Sequence, residues 1–175
     1  MPTSGPTRAL EIVTDLEPAR ALGLAVSSLM HTPVFAREPF ASVAVGLVNQ
    51  INRKHYMLAM SEGEVLGFLG WGFVPEDKAE TWLQGADLRD QDCHAGDVLV
   101  ITAWSSESLE VTMAMLRCLR EIGRNQKSVY FKRAYPDGCA RPGRLSVNAF
   151  IETHIRAAKR GAKDQSSPSL ARLEA

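Results

Sequence analysis

Apolar residues recur at three- and four-residue intervals over some stretches of the chain and run together or alternate over others. These two periods predict helices and strands respectively. The first helix is expected from about Pro18 to Met30, with Leu22, Val26 and Leu29 as its stripe. Pro18 suits the first turn, where its missing N–H costs nothing, and Pro33 forbids continuation. A second helix is expected from near Pro39, with Phe40, Val43, Leu47 and Ile51 on one face. A third is expected from about Glu107 to Ile122, capped by Ser105-Ser106 and stopped by Gly123. Val111, Met115, Cys118 and Ile122 form its stripe, widened by Leu109, Met113 and Leu116.

Tyr56–Met60 and Val65–Trp71 read as two strands joined by Ser61-Glu62-Gly63-Glu64, where the glycine supplies the positive φ of a tight turn. Val98–Trp104 is apolar on both faces, the mark of a central strand. Ser128–Ala134 reads as a further strand and Arg144–Phe150 as the last, with a loop from Gly138 to Gly143 between them. Pro75 to Gln84 reads as a short polar helix or turn, Asp87–Asp97 as a charged loop, and Ile151–Gly161 as a terminal helix. The expected organisation is an arm over 1–16, an α/β domain over 17–162 and a disordered tail over 163–175.

At 175 residues, 45% hydrophobic and 23% charged, the chain fits one globular core. No apolar run approaches the roughly 18 residues that a spanning helix needs, and the first residues lack a secretory pattern. Cys93, Cys118 and Cys139 cannot all pair within one chain and have no metal-ligand spacing. A reducing, cytoplasmic setting is expected. The net charge is zero, which gives no pointer to nucleic acid, but the charge is uneven. Nine acids stand against two bases from Glu62 to Asp97, and nine bases against two acids from Lys127 to Lys163. Such asymmetry fits either a charged partner on one side or two solvated faces that complement each other. A homodimer stays open.

Two helices, a hairpin and then strand–helix–strand is the order of a GNAT-like acyltransferase, one α/β arrangement among several that the pattern allows. Acyltransferases that use CoA commonly bind its pyrophosphate on a glycine-rich strand-to-helix turn. Here that junction is Ala103-Trp104-Ser105-Ser106-Glu107-Ser108, without glycine and with an acid that would repel a phosphate. Of the histidines, His55, His94 and His154 read as surface or capping residues. His31, at a helix exit, is the candidate for catalysis.

Ser27-Ser28-Leu29-Met30-His31 resembles the Ser-Ser-x-x-His segment of the toxin-activating lysine acyltransferases, which fatty-acylate RTX haemolysins. Gly70-Trp71-Gly72-Phe73, Asp92-Cys93-His94-Ala95-Gly96-Asp97, and the stretch from Phe131-Lys132-Arg133 to Gly143-Arg144-Leu145-Ser146 are similar to later motifs of that family, in the same order. The resemblance covers about residues 20–150. It implies a GNAT-like α/β fold, with a mixed sheet flanked by helices. It also implies transfer of a fatty acyl chain from acyl carrier protein to a lysine ε-amine of a protein or peptide, with no resident cofactor or metal. His31 would be the base, and Thr102, Ser28 or Ser105 its hydrogen-bonding partner. Trp104, Ser105 and Gly96 would line the substrate site. Lys132, Arg133, Arg141 and Arg144 would dock the acidic carrier protein. The family's catalytic aspartate falls at Ala103, or at Thr102 with a one-residue gap, and neither is an acid. That departure keeps two other classes open: a lipidating enzyme of a ribosomally made peptide, and a binding module that has lost catalysis.

Overall fold

The alternating apolar segments assemble into one sheet of six strands: Glu11–Val13 (β1), Tyr56–Ser61 (β2), Glu64–Val74 (β3), Val98–Ser106 (β4), Val129–Ala134 (β5) and Ala140–Leu145 (β6). The helices are Pro18–Leu29 (α1), Phe40–Asn52 (α2), Glu76–Leu83 (α3), Leu109–Ile122 (α4) and Val147–Ser166 (α5). These elements come from a computed structural model, which describes residues 9–134 and 140–166. The strands lie in chain order, and all neighbours are antiparallel except β4 and β5. Parallel neighbours need a crossover, and α4 supplies it.

Strand alternation sends Met57, Ala59, Leu69, Trp71, Leu99 and Ile101 to one face, where Val111, Met115, Leu116 and Leu119 of α4 and Phe150 and Ile151 of α5 cover them. Tyr56, Leu58, Phe68 and Ala103 point the other way, onto Ala21, Ala25 and Leu29 of α1 and Leu47 and Ile51 of α2. Ala79 of α3 closes a third cluster over Val74, Val98, Val100 and Tyr130. The sheet is thus covered on both sides, which is why β4 is apolar throughout its first half.

The structure departs from the sequence expectations at the ends of elements. The arm contains β1, which pairs Glu11–Val13 with Leu58–Met60. Ser105 and Ser106 do not cap a helix. They extend β4 by pairing with Phe68 and Gly67, and Ser108 caps α4 by accepting the Val111 N–H at 3.2 Å. Arg144–Phe150 is not a strand: β6 ends at Leu145, and Ser146 turns the chain into α5 by accepting the Phe150 N–H on its carbonyl at 2.9 Å. α5 then runs to Ser166, past the point where the tail was expected to begin. Cys139 and the rest of the tail lie outside the described residues.

Candidate functional site

β4 and β5 pair only at Leu99–Val129 and Val100–Tyr130, although β4 continues to Ser106 and β5 to Ala134. Beyond Val100 the parallel neighbours no longer pair, which opens the hydrogen-bond ladder in the middle of the sheet. At that point β4 carries a bulge: Gly70 faces Ala103 and Trp71 faces Ile101, so Thr102 is the extra residue. A bulge puts two successive residues on one side and bends the strand. Thr102 and Ala103 accordingly both turn towards α1 and α2, whereas plain alternation would send them to opposite faces.

On that side the polar groups are held by one another. Gln50, a buried residue of α2, donates its amide N–H to the Thr102 hydroxyl, and Thr102 donates to the Gly70 carbonyl at 3.2 Å. The Gln50 amide lies over Gly70, which has no room for a Cβ, and its Oε1 is buried without a partner among the described residues. Ser105 is buried and accepts the Phe68 N–H at 3.0 Å, and its Oγ lies 2.5 Å from that of Ser28 on α1. The structure therefore joins Ser28 to Ser105, and Thr102 to Gln50. His31 is in the exposed turn after α1 and makes no hydrogen bond or ion pair among the described residues, so it is not coupled to Thr102 or Ser105.

On the opposite side the opening is walled by aromatic rings. Trp104 of β4 packs against the main core with its ring centre 6.2 Å from His154 of α5. Phe131 of β5 meets the same imidazole edge to face at 5.5 Å, and Phe150 lies 4.0 Å from it. His154 thus packs against a ring from each of the two parting strands. Its Nδ1 is 2.9 Å from the Phe150 carbonyl, which can only accept, so Nδ1 carries the proton and Nε2 the lone pair. Burial lowers its pKa below the ordinary 6.5; the Phe150 carbonyl raises it and the Arg133 charge lowers it, both less strongly. The sequence expectation for His154 is a surface or capping residue, whereas in the structure it is half-buried. Its place four residues after Phe150, on the stripe Val147–Phe150–Ile151–His154, marks it as facing the core.

The remaining expected site residues are scattered. Gly96 stands before β4, at the end away from the opening, where a Cβ would collide with the Val74 backbone. Lys132, Arg133, Arg141 and Arg144 do not share one face. Lys132 sits 4.4 Å over the Trp82 ring of α3, and Arg144 bonds Glu80 at 2.5 Å and Tyr130 at 3.3 Å. Arg133 and Arg141 face each other across β5 and β6, one position along, and so project from the opposite side. The turn into α4 is occupied by its own groups: Ser106 donates to the Ser108 carbonyl at 3.0 Å, and Glu107 and Glu110 bring negative charge. An anion gains little there.

The other titratable groups lie elsewhere. His55 stacks on Trp71 at 6.1 Å and meets Phe73 edge to face at 5.0 Å, and burial keeps its pKa below the ordinary value. His94 is exposed, 3.4 Å from Asp90. Burial pushes the thiols of Cys93 and Cys118 up, away from the reactive thiolate. A hollow of about 240 Å³ lies at the β1 edge between Glu11, Leu16, Arg20 and Glu62, away from the parting strands. No helix among the described residues is long and apolar enough to cross a membrane.

Neither a family model nor a curated protein matches the chain. Solved structures do. An agmatine N-acetyltransferase, crystallised as its S171A mutant without ligand, superposes with a TM-score of 0.55 over 85% of this chain and 80% of its own, at 9% identity. A polyamine N-acetyltransferase of Drosophila melanogaster, which catalyses formation of N-acetylagmatine, gives 0.55 over 85% and 82%, at 11% identity. The six-stranded sheet with its parting parallel pair and flanking helices is therefore the GNAT fold of the N-acetyltransferases.

Proposed function

We propose that the chain transfers an acyl group from a thioester to an amine, with the opening between β4 and β5 as the place where the thioester lies. The observation that carries this reading is the parting of the sheet's parallel pair beside the Thr102 bulge, in a fold shared with enzymes that acylate agmatine and polyamines. Unpaired strand edges present backbone N–H and C=O groups that a pantetheine amide can satisfy. The finer reading is a fatty acyl donor on acyl carrier protein and a lysine ε-amine of a protein or peptide as acceptor. It rests on the motif resemblance and on the α4 turn, where Ser108 caps the helix and Glu107 opposes a phosphate. The donor is then a substrate, and no resident cofactor is assigned.

Intact-mass analysis tests both levels. Candidate acceptors are incubated with the chain and either acyl carrier protein or CoA bearing the same fatty acyl group. Mass gain with the carrier protein alone supports the finer reading, and equal gain with CoA retains acyl transfer but removes the carrier protein. The exposed His31, without a partner among the described residues, favours one second reading, a module that binds without catalysis. Acceptor binding without mass gain from either donor would support it.

A further inference from the structure

His154 offers what His31 lacks. It packs between Trp104 on β4 and Phe131 on β5, where the two strands no longer pair. Its Nδ1–H is tied to the Phe150 carbonyl, which fixes both tautomer and ring plane. Its Nε2 makes no hydrogen bond among the described residues and is not among the buried, unpartnered atoms. Among the described residues, the charged group that acts on it is Arg133 of β5; Trp104, Phe131 and Phe150 are uncharged.

We propose that His154 Nε2 is the proton acceptor of acyl transfer at the β4–β5 opening, a role the sequence had suggested for His31. The inference rests on the acyl-transfer reading above and adds the residue that moves the proton. A neutral amine attacks the thioester carbonyl carbon, and a C–N bond forms. The nitrogen gives its extra proton to Nε2, the C–S bond breaks, and the imidazolium returns that proton to the departing thiolate. The products are an amide and a thiol. An acceptor that arrives as ammonium first releases one proton to solvent. The neutral imidazole is the working form, so the rate rises with pH through a midpoint below 6.5.

The test compares wild type, His154→Asn and His31→Ala on the full chain with decanoyl-carrier protein and a lysine peptide, followed by intact mass. Asn keeps an N–H able to reach the Phe150 carbonyl while removing Nε2, and unfolding temperatures are measured beside the rates. The expected result is a loss of kcat of roughly 100-fold or more in His154→Asn. The KM for the donor and the unfolding temperature stay near wild type, the acidic limb of the pH–rate profile disappears, and His31→Ala stays active. Because His154→Asn could also disturb α5, a second measurement uses the wild-type chain: carbethoxylation of His154, mapped by mass, is slowed by decanoyl-pantetheine, and that of His31 is not. Full activity of His154→Asn, or loss of activity in His31→Ala alone, overturns the proposal while leaving acyl transfer intact. Absence of transfer by the wild-type chain with either donor overturns both.

Discussion

The two sides of β4 beyond Val100 are built on different principles. Towards α1 and α2, each polar group is held by another: Gln50 by Thr102, Thr102 by Gly70, Ser105 by Ser28 and Phe68. Towards α4 and α5, rings surround a single imidazole that has one nitrogen tied and the other without a partner among the described residues. That hydrogen-bond set stabilises a bent strand, leaves the buried amide oxygen Gln50 Oε1 without a partner among the described residues, and has no proton-transfer capacity to spare. An imidazole fixed at one nitrogen retains it at the other. The bulge lets one strand serve both purposes, because it shifts Thr102 and Ala103 to the first side and leaves Trp104 on the second.

The comparison is broken most severely at the aromatic wall. Phe150 is fully buried and lies 4.9 Å from Phe131, so Phe150→Ala should cost about 3–5 kcal/mol, read from urea unfolding. A loss below about 1 kcal/mol would mean that the rings are not packed against the opening. Next comes the polar side. A Cβ at Gly70 meets Gln50 Cδ at 2.7 Å and Nε2 at 2.8 Å, so Gly70→Ala should destabilise by about 1–3 kcal/mol. Pairing it with Gln50→Ala should recover part of that loss, and strictly additive losses would separate the two residues. Ser28→Ala removes one hydroxyl partner from Ser105 while Phe68 remains, for about 0.5–1.5 kcal/mol by the same measurement.

The smallest effect is the dependence of stability on pH. Burial holds His55 and His154 below 6.5 in the folded chain, so between the folded and unfolded values the unfolded chain binds more protons. Their contribution is full above 6.5 and falls as the pH drops through the folded values. Melting temperature should decline over that window, and less steeply in His154→Gln. Equal slopes would remove His154 from the acid response.

Elements with long stripes were legible in the sequence. The α1 and α2 patterns, the β2–β3 turn at Gly63 and the doubly apolar β4 need only local periodicity, and the structure has them within a few residues. Features that depend on a neighbour were not. The bulge at Thr102 exists because β3 and β4 fall out of step, which no single-strand pattern encodes. β1 has only three residues and owes its place to the free edge of β2. Arg144–Phe150 could be read as alternating, but Val147, Phe150 and Ile151 also fit helical spacing, and Ser146 ahead of them is a cap. The motif resemblance points to His31 by position along the chain alone, and the structure places it in the exposed turn after α1. The core-facing stripe of α5, which carries His154, becomes a wall of the opening only when α5 packs beside β5.

β6 also bears on how the molecule meets its own copies. With β1 it is one of the sheet's two edge strands among the described residues, and a strand edge invites a further strand from another chain. Pro142 has no N–H to donate to such a visitor, and Arg141 and Arg144 put charge on both faces of the same short segment. Backbone pairing through this margin would have to bury cations. At high concentration, β6 is therefore poorly suited to seeding fibrils or sheet-extended aggregates.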